Sequence, residues 1–86
     1  MSIEVEKAQI LLKLIRKNNW NNRYDRLEHF KRFQDLKEIV KELSKTGWLI
    51  VHKKPNYIGI AANTKYKKEI KDFIEDKLPY VKGMVE

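Results

Sequence analysis

The hydrophobic period of this chain switches from helical spacing to two at Gly47, and that change limits the folds open to it. Over residues 33–46, Phe33, Leu36, Val40 and Leu43 recur at helical spacing, with Ile39 at the edge of their stripe. From Trp48 onward the period is two. Trp48-Leu49-Ile50-Val51-His52 and Tyr57-Ile58-Gly59-Ile60-Ala61 flank Lys53-Lys54-Pro55-Asn56, a turn-forming loop. Gly47 supplies the left-handed residue that ends a helix. The segment predicts a helix over 33–46 running directly into a β-hairpin over 48–61. Pairing the strands across that loop sets His52 opposite Tyr57, Val51 opposite Ile58 and Leu49 opposite Ile60. One face is then wholly aliphatic. On the other, Trp48 and Ile50 lie over Ala61 and Gly59, large against small.

The remaining segments read as helices. In residues 3–18, Val5, Ala8, Leu11, Leu12 and Ile15 share one face, and Ile3, Ile10 and Leu14 form a second line opposite. A surface helix needs one apolar stripe, so this one is covered on two sides. Ile3, Ile10 and Leu14 are candidate homodimer-interface residues; cover by the last helix of the same chain is the alternative. Asn18 and Asn19 end this helix, and Trp20 packs against its end. Asn21-Asn22 then offers an N-cap for a short second helix, with Leu27 and Phe30 facing inward. The apolar phase slips between Phe30 and Phe33, which predicts two helices meeting near Lys31–Gln34. Asn63 or Thr64 caps a last helix over 65–78, with Tyr66, Ile70, Phe73, Ile74 and Leu78 on one face and Pro79 stopping it. The expected fold class is mainly α with a β-hairpin (α+β), in the order helix-helix-helix-strand-strand-helix. Residues 1–79 make the domain and 80–86 a tail.

Nineteen Lys and Arg against twelve Asp and Glu give a net charge of +7 over 86 residues. Such a balance favours an anionic partner, nucleic acid ahead of an acidic membrane surface. Without cysteine there is no disulfide and no thiolate metal site. The apolar runs fall far short of the ~20 residues that span a bilayer. The start of the chain carries Glu4 and Glu6 where a signal peptide has basic and then apolar residues, so a cytoplasmic protein is expected. Nothing points to catalysis. His29 and His52 are isolated, Ser44 lacks a nucleophile-elbow context, the acids lack metal-ligand spacing, and no Gly-rich phosphate loop exists. The expectation is a non-enzyme with no cofactor, metal or evident small-molecule ligand.

From Leu36 to Ile60 the sequence reads LKEIVKELSKTGWLIVHKKPNYIGI. It resembles the recognition-helix-to-wing segment of winged helix-turn-helix proteins, especially small archaeal-type DNA-binding regulators. In that family a helix end of the form xxLxxxGxL leads into an aliphatic strand, a basic wing and a returning strand. The resemblance covers about residues 3–61. It departs from the family at Lys31-Arg32-Phe33, where the turn before the third helix lacks a small residue. It implies a transcriptional regulator, working as a dimer, whose third helix enters the major groove of double-stranded DNA while the wing meets the backbone.

The residues can be set against that implication. On a wheel of 33–46, Gln34, Lys37, Lys41 and Lys45 form a narrow stripe beside the core face. Lysines four apart repel by a few tenths of a kcal/mol, so stability alone gives no reason to align them. Asp35, Glu38 and Glu42 form a second stripe that could offset this repulsion. Gln34 suits an adenine edge, Lys37 a guanine or phosphate, and Lys41 and Lys45 phosphates. Arg23, Arg26, Lys31 and Arg32 surround the entry to the helix, and arginine forks match phosphate oxygens. The hairpin tip contributes His52, Lys53, Lys54, Asn56 and Tyr57, although lysine tips also guard hairpins against edge pairing. Lys65, Lys67 and Lys68 read as solvated. Two other readings stay open: a winged-helix interaction adaptor in a replication, repair or transcription assembly, and a single-strand or RNA binder stacking bases on Trp20, Tyr24, Trp48 or Tyr57.

Overall fold

In the computed structural model, which describes residues 3–81 and 83, both apolar lines of the first helix are buried. Helix α1 (Ile3–Arg16) holds Ala8, Ile10, Leu11 and Leu14 at 0% exposure. It packs against helix α2 (Leu36–Thr46), strand β3 (Ile58–Ala62) and helix α3 (Lys67–Lys77). The second line is therefore covered from within the chain. Ile10 and Leu14 are not available as a dimer surface, and the half-buried Ile3 packs on the same core. Asn18 ends the helix in the left-handed region (φ 59°), where it can pair its own amide with Ile15 O while Asn19 N–H reaches Leu14 O, both at 2.9 Å.

The expected second helix does not form. After Trp20 the chain turns at Asn21–Asn22, closed by Arg23 N–H to Trp20 O at 2.9 Å, and then enters strand β1 (Asp25–Arg26) and a 3-10 turn, Leu27–Phe30. Leu27, Phe30 and Phe33 recur every three positions, which fits three residues per turn better than 3.6. Phe33 N–H bonds Phe30 O and Leu36 N–H bonds Phe33 O, so two further turns lead into α2. That helix begins at Leu36 rather than at 33, leaving Phe33 buried ahead of it. Within α2, Ile39 is inaccessible and Leu43 nearly so, while Leu36 and Val40 are half-buried; Ile39 is the centre of the stripe and not its edge. Gly47 adopts φ 89°, as expected of a left-handed helix stop.

Strand β2 (Leu49–Lys53) pairs with β3 in the register Leu49↔Ala62, Val51↔Ile60 and Lys53↔Ile58. This is two residues from the expected pairing. An even slip keeps every side chain on its face, so Leu49, Val51, Ile60 and Ala62 still turn to the core. The loop moves to Lys54–Tyr57, closed by Lys54 N–H to Tyr57 O at 2.9 Å. Trp48 lies outside the strand, and its ring meets Phe73 edge-on at 5.5 Å instead of covering Ala61. Strand β1 adds to β3 antiparallel (Asp25↔Ile60, Arg26↔Gly59), giving the order β1-β3-β2. Trp20 makes a further bridge to Ala62.

Asn63 caps the last helical segment, its Oδ1 accepting from Lys65 N–H at 3.0 Å. A 3-10 turn over Thr64–Tyr66 precedes α3. Past Leu78 the chain stays packed: Pro79–Val81 is another 3-10 turn with Val81 buried, so the domain extends beyond Pro79. The rest of the expected tail, 82 and 84–86, lies outside the described residues. The chain is thus an α+β fold of three α-helices and a three-stranded antiparallel sheet. Among the described residues no helix is long and apolar enough to cross a membrane.

Candidate nucleic-acid interface

Burial of Ile39 and Leu43 fixes which side of α2 faces outward. Lys37, Lys41 and Lys45 are exposed there, and among the described residues none of their ammonium groups has a hydrogen bond or ion pair. The acids beside them do not pair with them. Glu42 instead reaches across to α1, binding Lys7 Nζ at 2.7 Å, and Lys7 also meets Glu4 at 3.3 Å. The bond from Glu42 holds the Lys7 ammonium above its ordinary value of 10.5 despite partial burial. Gln34 sits ahead of α2, exposed, at a shallow surface shared with Lys31 and Lys37.

The hairpin tip is braced from β1. Tyr24 lies flat on β3, so close that a Cβ on Gly59 would stand 2.3 Å from its Cδ1. Gly59 is present because nothing larger fits under that ring. Tyr24 and Tyr57 hydroxyls share a hydrogen bond of 2.7 Å, which raises the Tyr57 phenol above its ordinary value. The Arg26 guanidinium stacks on Tyr57 at 4.4 Å, and Lys54 Nζ lies 5.5 Å over Tyr24. His52 packs beside Tyr24 (4.8 Å between rings) and donates from Nε2 to Asn21 O at 2.8 Å. His52 and Tyr57 are therefore half-buried parts of the brace, while Lys53, Lys54 and Asn56 project. The brace was missed by sequence reasoning, although a lone glycine between Ile58 and Ile60 signals a close approach.

The arginines expected around the helix entry divide. Arg26 is engaged by Tyr57 and by Glu28 at 3.3 Å. Arg23 and Lys31 are exposed, and Arg32 is exposed with its guanidinium 4.9 Å over Phe33. Arg32 and Gln34 also open onto a groove along α1. Lys65, Lys67 and Lys68 are exposed at the start of the last helical segment, with Lys67 over the Trp20 ring at 5.8 Å. Among the described residues no cluster of three or more His, Cys, Asp or Glu could hold a metal ion. Compared with known proteins, the chain matches no family model, no curated protein and no solved structure.

Proposed function

We propose that this protein binds double-stranded DNA as a winged-helix-like domain, with the exposed face of α2 toward the major groove and the Lys53–Asn56 tip on the backbone, and that it acts in transcriptional regulation. The observation that carries this reading is the set of unpaired lysines on α2. Lys37, Lys41 and Lys45 line one exposed face while the neighbouring Glu42 is drawn away to Lys7. Aligned, unneutralised cations repel one another and are stabilised by an array of phosphates. The order helix, strand, helix, hairpin, helix fits such a domain, with a 3-10 turn in place of a second α-helix. Few base-reading side chains stand on the face, Gln34 foremost, so sequence preference is modest.

The test is duplex binding measured by fluorescence anisotropy across a salt series, followed by selection from a random duplex pool. Affinity should fall steeply between roughly 50 and 200 mM salt, as expected when several phosphates are contacted. No duplex binding at the low-salt end would remove this reading in favour of a protein-interaction adaptor. Tighter binding to unpaired strands than to duplex would favour single-strand recognition.

A further inference from the structure

A groove along α1 meets the lysine-bearing face at the N-terminal end of α2. Gln34, just ahead of α2, lines this groove together with Arg16 and Arg32, and it also lines the shallow surface that holds Lys37. The two surfaces are therefore continuous. Two other cations of the groove are occupied within the chain: Lys13 donates to His29 O at 2.8 Å, and Lys17 binds Asp25 at 2.9 Å. Arg16 and Arg32 are exposed and have no carboxylate partner among the described residues. The Arg32 guanidinium lies 4.9 Å over the Phe33 ring. Stacking fixes the plane of that group, and its N–H donors lie in the plane rather than toward the ring face. Such a fork, held in place before any partner arrives, matches phosphate oxygens.

The far end of the groove carries charge of the opposite sign. Glu6 is only 5% exposed, and among the described residues its carboxylate has neither a hydrogen bond nor an ion pair. Ten residues separate it from Arg16 on one helix, a rise of roughly 15 Å. That exceeds the screening length of about 8–10 Å near physiological salt, so a phosphate on Arg16 feels little of Glu6. A backbone that ran on along α1 would be repelled by it. Resting on the DNA reading above, we infer that the duplex backbone continues past the N-terminal end of α2 to Arg16 and Arg32 and stops short of Glu6. Each arginine holds a phosphate there, and α1 joins the interface through its last turn.

Anisotropy titrations across a salt series, on single variants of the whole chain, test this. Arg16→Gln and Arg32→Gln should each lower the slope of log affinity against log salt by about 0.9, the share of one phosphate. Lys68→Gln removes the same charge from an exposed site on α3 and should leave the slope unchanged. Glu6→Gln should change affinity by less than about twofold in roughly 0.15 M salt. An unchanged slope in either arginine variant, or an equal fall in Lys68→Gln, would overturn the inference. So would a larger rise in Glu6→Gln, since the backbone would then run the length of the groove. Absence of duplex binding by the unaltered chain removes the DNA reading and this inference together. Duplex binding whose slope ignores Arg16 and Arg32 removes this inference alone.

Discussion

The lysines and arginines of this chain fall into two populations that its net charge does not distinguish. On the side built from α1 and β1, four cations are engaged: Lys7 by Glu42 and Glu4, Lys13 by His29 O, Lys17 by Asp25, and Arg26 by Glu28 and the Tyr57 ring. On the outer face of α2, Lys37, Lys41 and Lys45 have acids one to three residues away and are bonded to none of them. The difference arises in tertiary packing. Asp25 sits eight residues from Lys17 and four from His29, and the turn of the chain into β1 brings the three together. Glu42 lies next to Lys41 in sequence and bonds across a helix interface instead. Charge available to a partner is what remains after such pairings.

The largest effect should come from removing the free population. Replacing Lys37, Lys41 and Lys45 together by Ala is expected to abolish tight duplex binding and lower the salt slope by about 2 to 3, since each phosphate contact contributes roughly 0.9. Anisotropy titrations at several salt concentrations measure this. The counterpart, Lys7→Ala with Lys17→Ala, removes charge that is already engaged and should leave the slope nearly unchanged. If the two variants lose affinity equally, net charge alone governs binding and the distinction between the populations fails.

The second test strikes the engaged side. Gly59→Ala places a methyl group 2.3 Å from the Tyr24 ring, and the brace of Tyr24, Tyr57 and Arg26 has to shift. Overpacking of this kind destabilises by about 1–3 kcal/mol, measurable by urea unfolding. Where the variant is still folded, the share of the salt dependence carried by the α2 lysines should persist, and any loss should be confined to the Lys53–Asn56 tip that the brace holds.

A smaller effect is expected at Asp25. Burial alone would raise its pKa, but hydrogen bonds from Lys17, His29 and the Arg26 amide outweigh burial and hold the carboxyl below its ordinary value of 3.8. A carboxylate depressed on folding stabilises the protein above its unfolded pKa, and that contribution disappears as pH falls through the folded value. Asp25→Asn should therefore lose about 1 kcal/mol at neutral pH, the upper range for pairs with exposed partners. The loss should shrink as pH drops below about 4. A difference that stays constant down to pH 2 would mean that packing, and not charge, holds Asp25.

What could be read in the sequence follows from how local each feature is. Gly47, the strand faces and the stripe of α2 are set within a few residues, and each was legible. The register slipped by two because an even slip preserves the faces, so the apolar pattern fits both pairings although every cross-strand partner differs between them. The missing second helix is a failure of period: Leu27, Phe30 and Phe33 repeat every three residues, and a repeat of three is easily taken for one of 3.6. The second apolar line of α1 was visible, but whether a partner or α3 covered it was not, since apolar surface carries no record of what meets it. The lysine stripe was legible in the sequence as well. That its acids would be drawn elsewhere was not, because the Lys7–Glu42 pair joins residues 35 positions apart.

That pair provides the finest test, because stability and binding should move in opposite directions. In Glu42→Gln, Lys7 loses its closer partner and keeps Glu4 at 3.3 Å. Its ammonium, held above 10.5 mainly by Glu42, falls back toward the ordinary value. A cation raised on folding stabilises below its unfolded pKa and loses that contribution as pH rises through the folded one, so the stability difference should be full at neutral pH and fade in strong alkali. With Glu42 half-exposed, the loss should be under about 1 kcal/mol. The same substitution removes a negative charge adjoining Lys41 and three residues from Lys45, and duplex affinity should rise by about two- to fivefold. Lower stability with higher affinity is the signature of a helix whose acids belong to the fold and whose lysines belong to the partner. A fall in both would instead make Glu42 a support for the binding face, and the two populations of charge would merge into one.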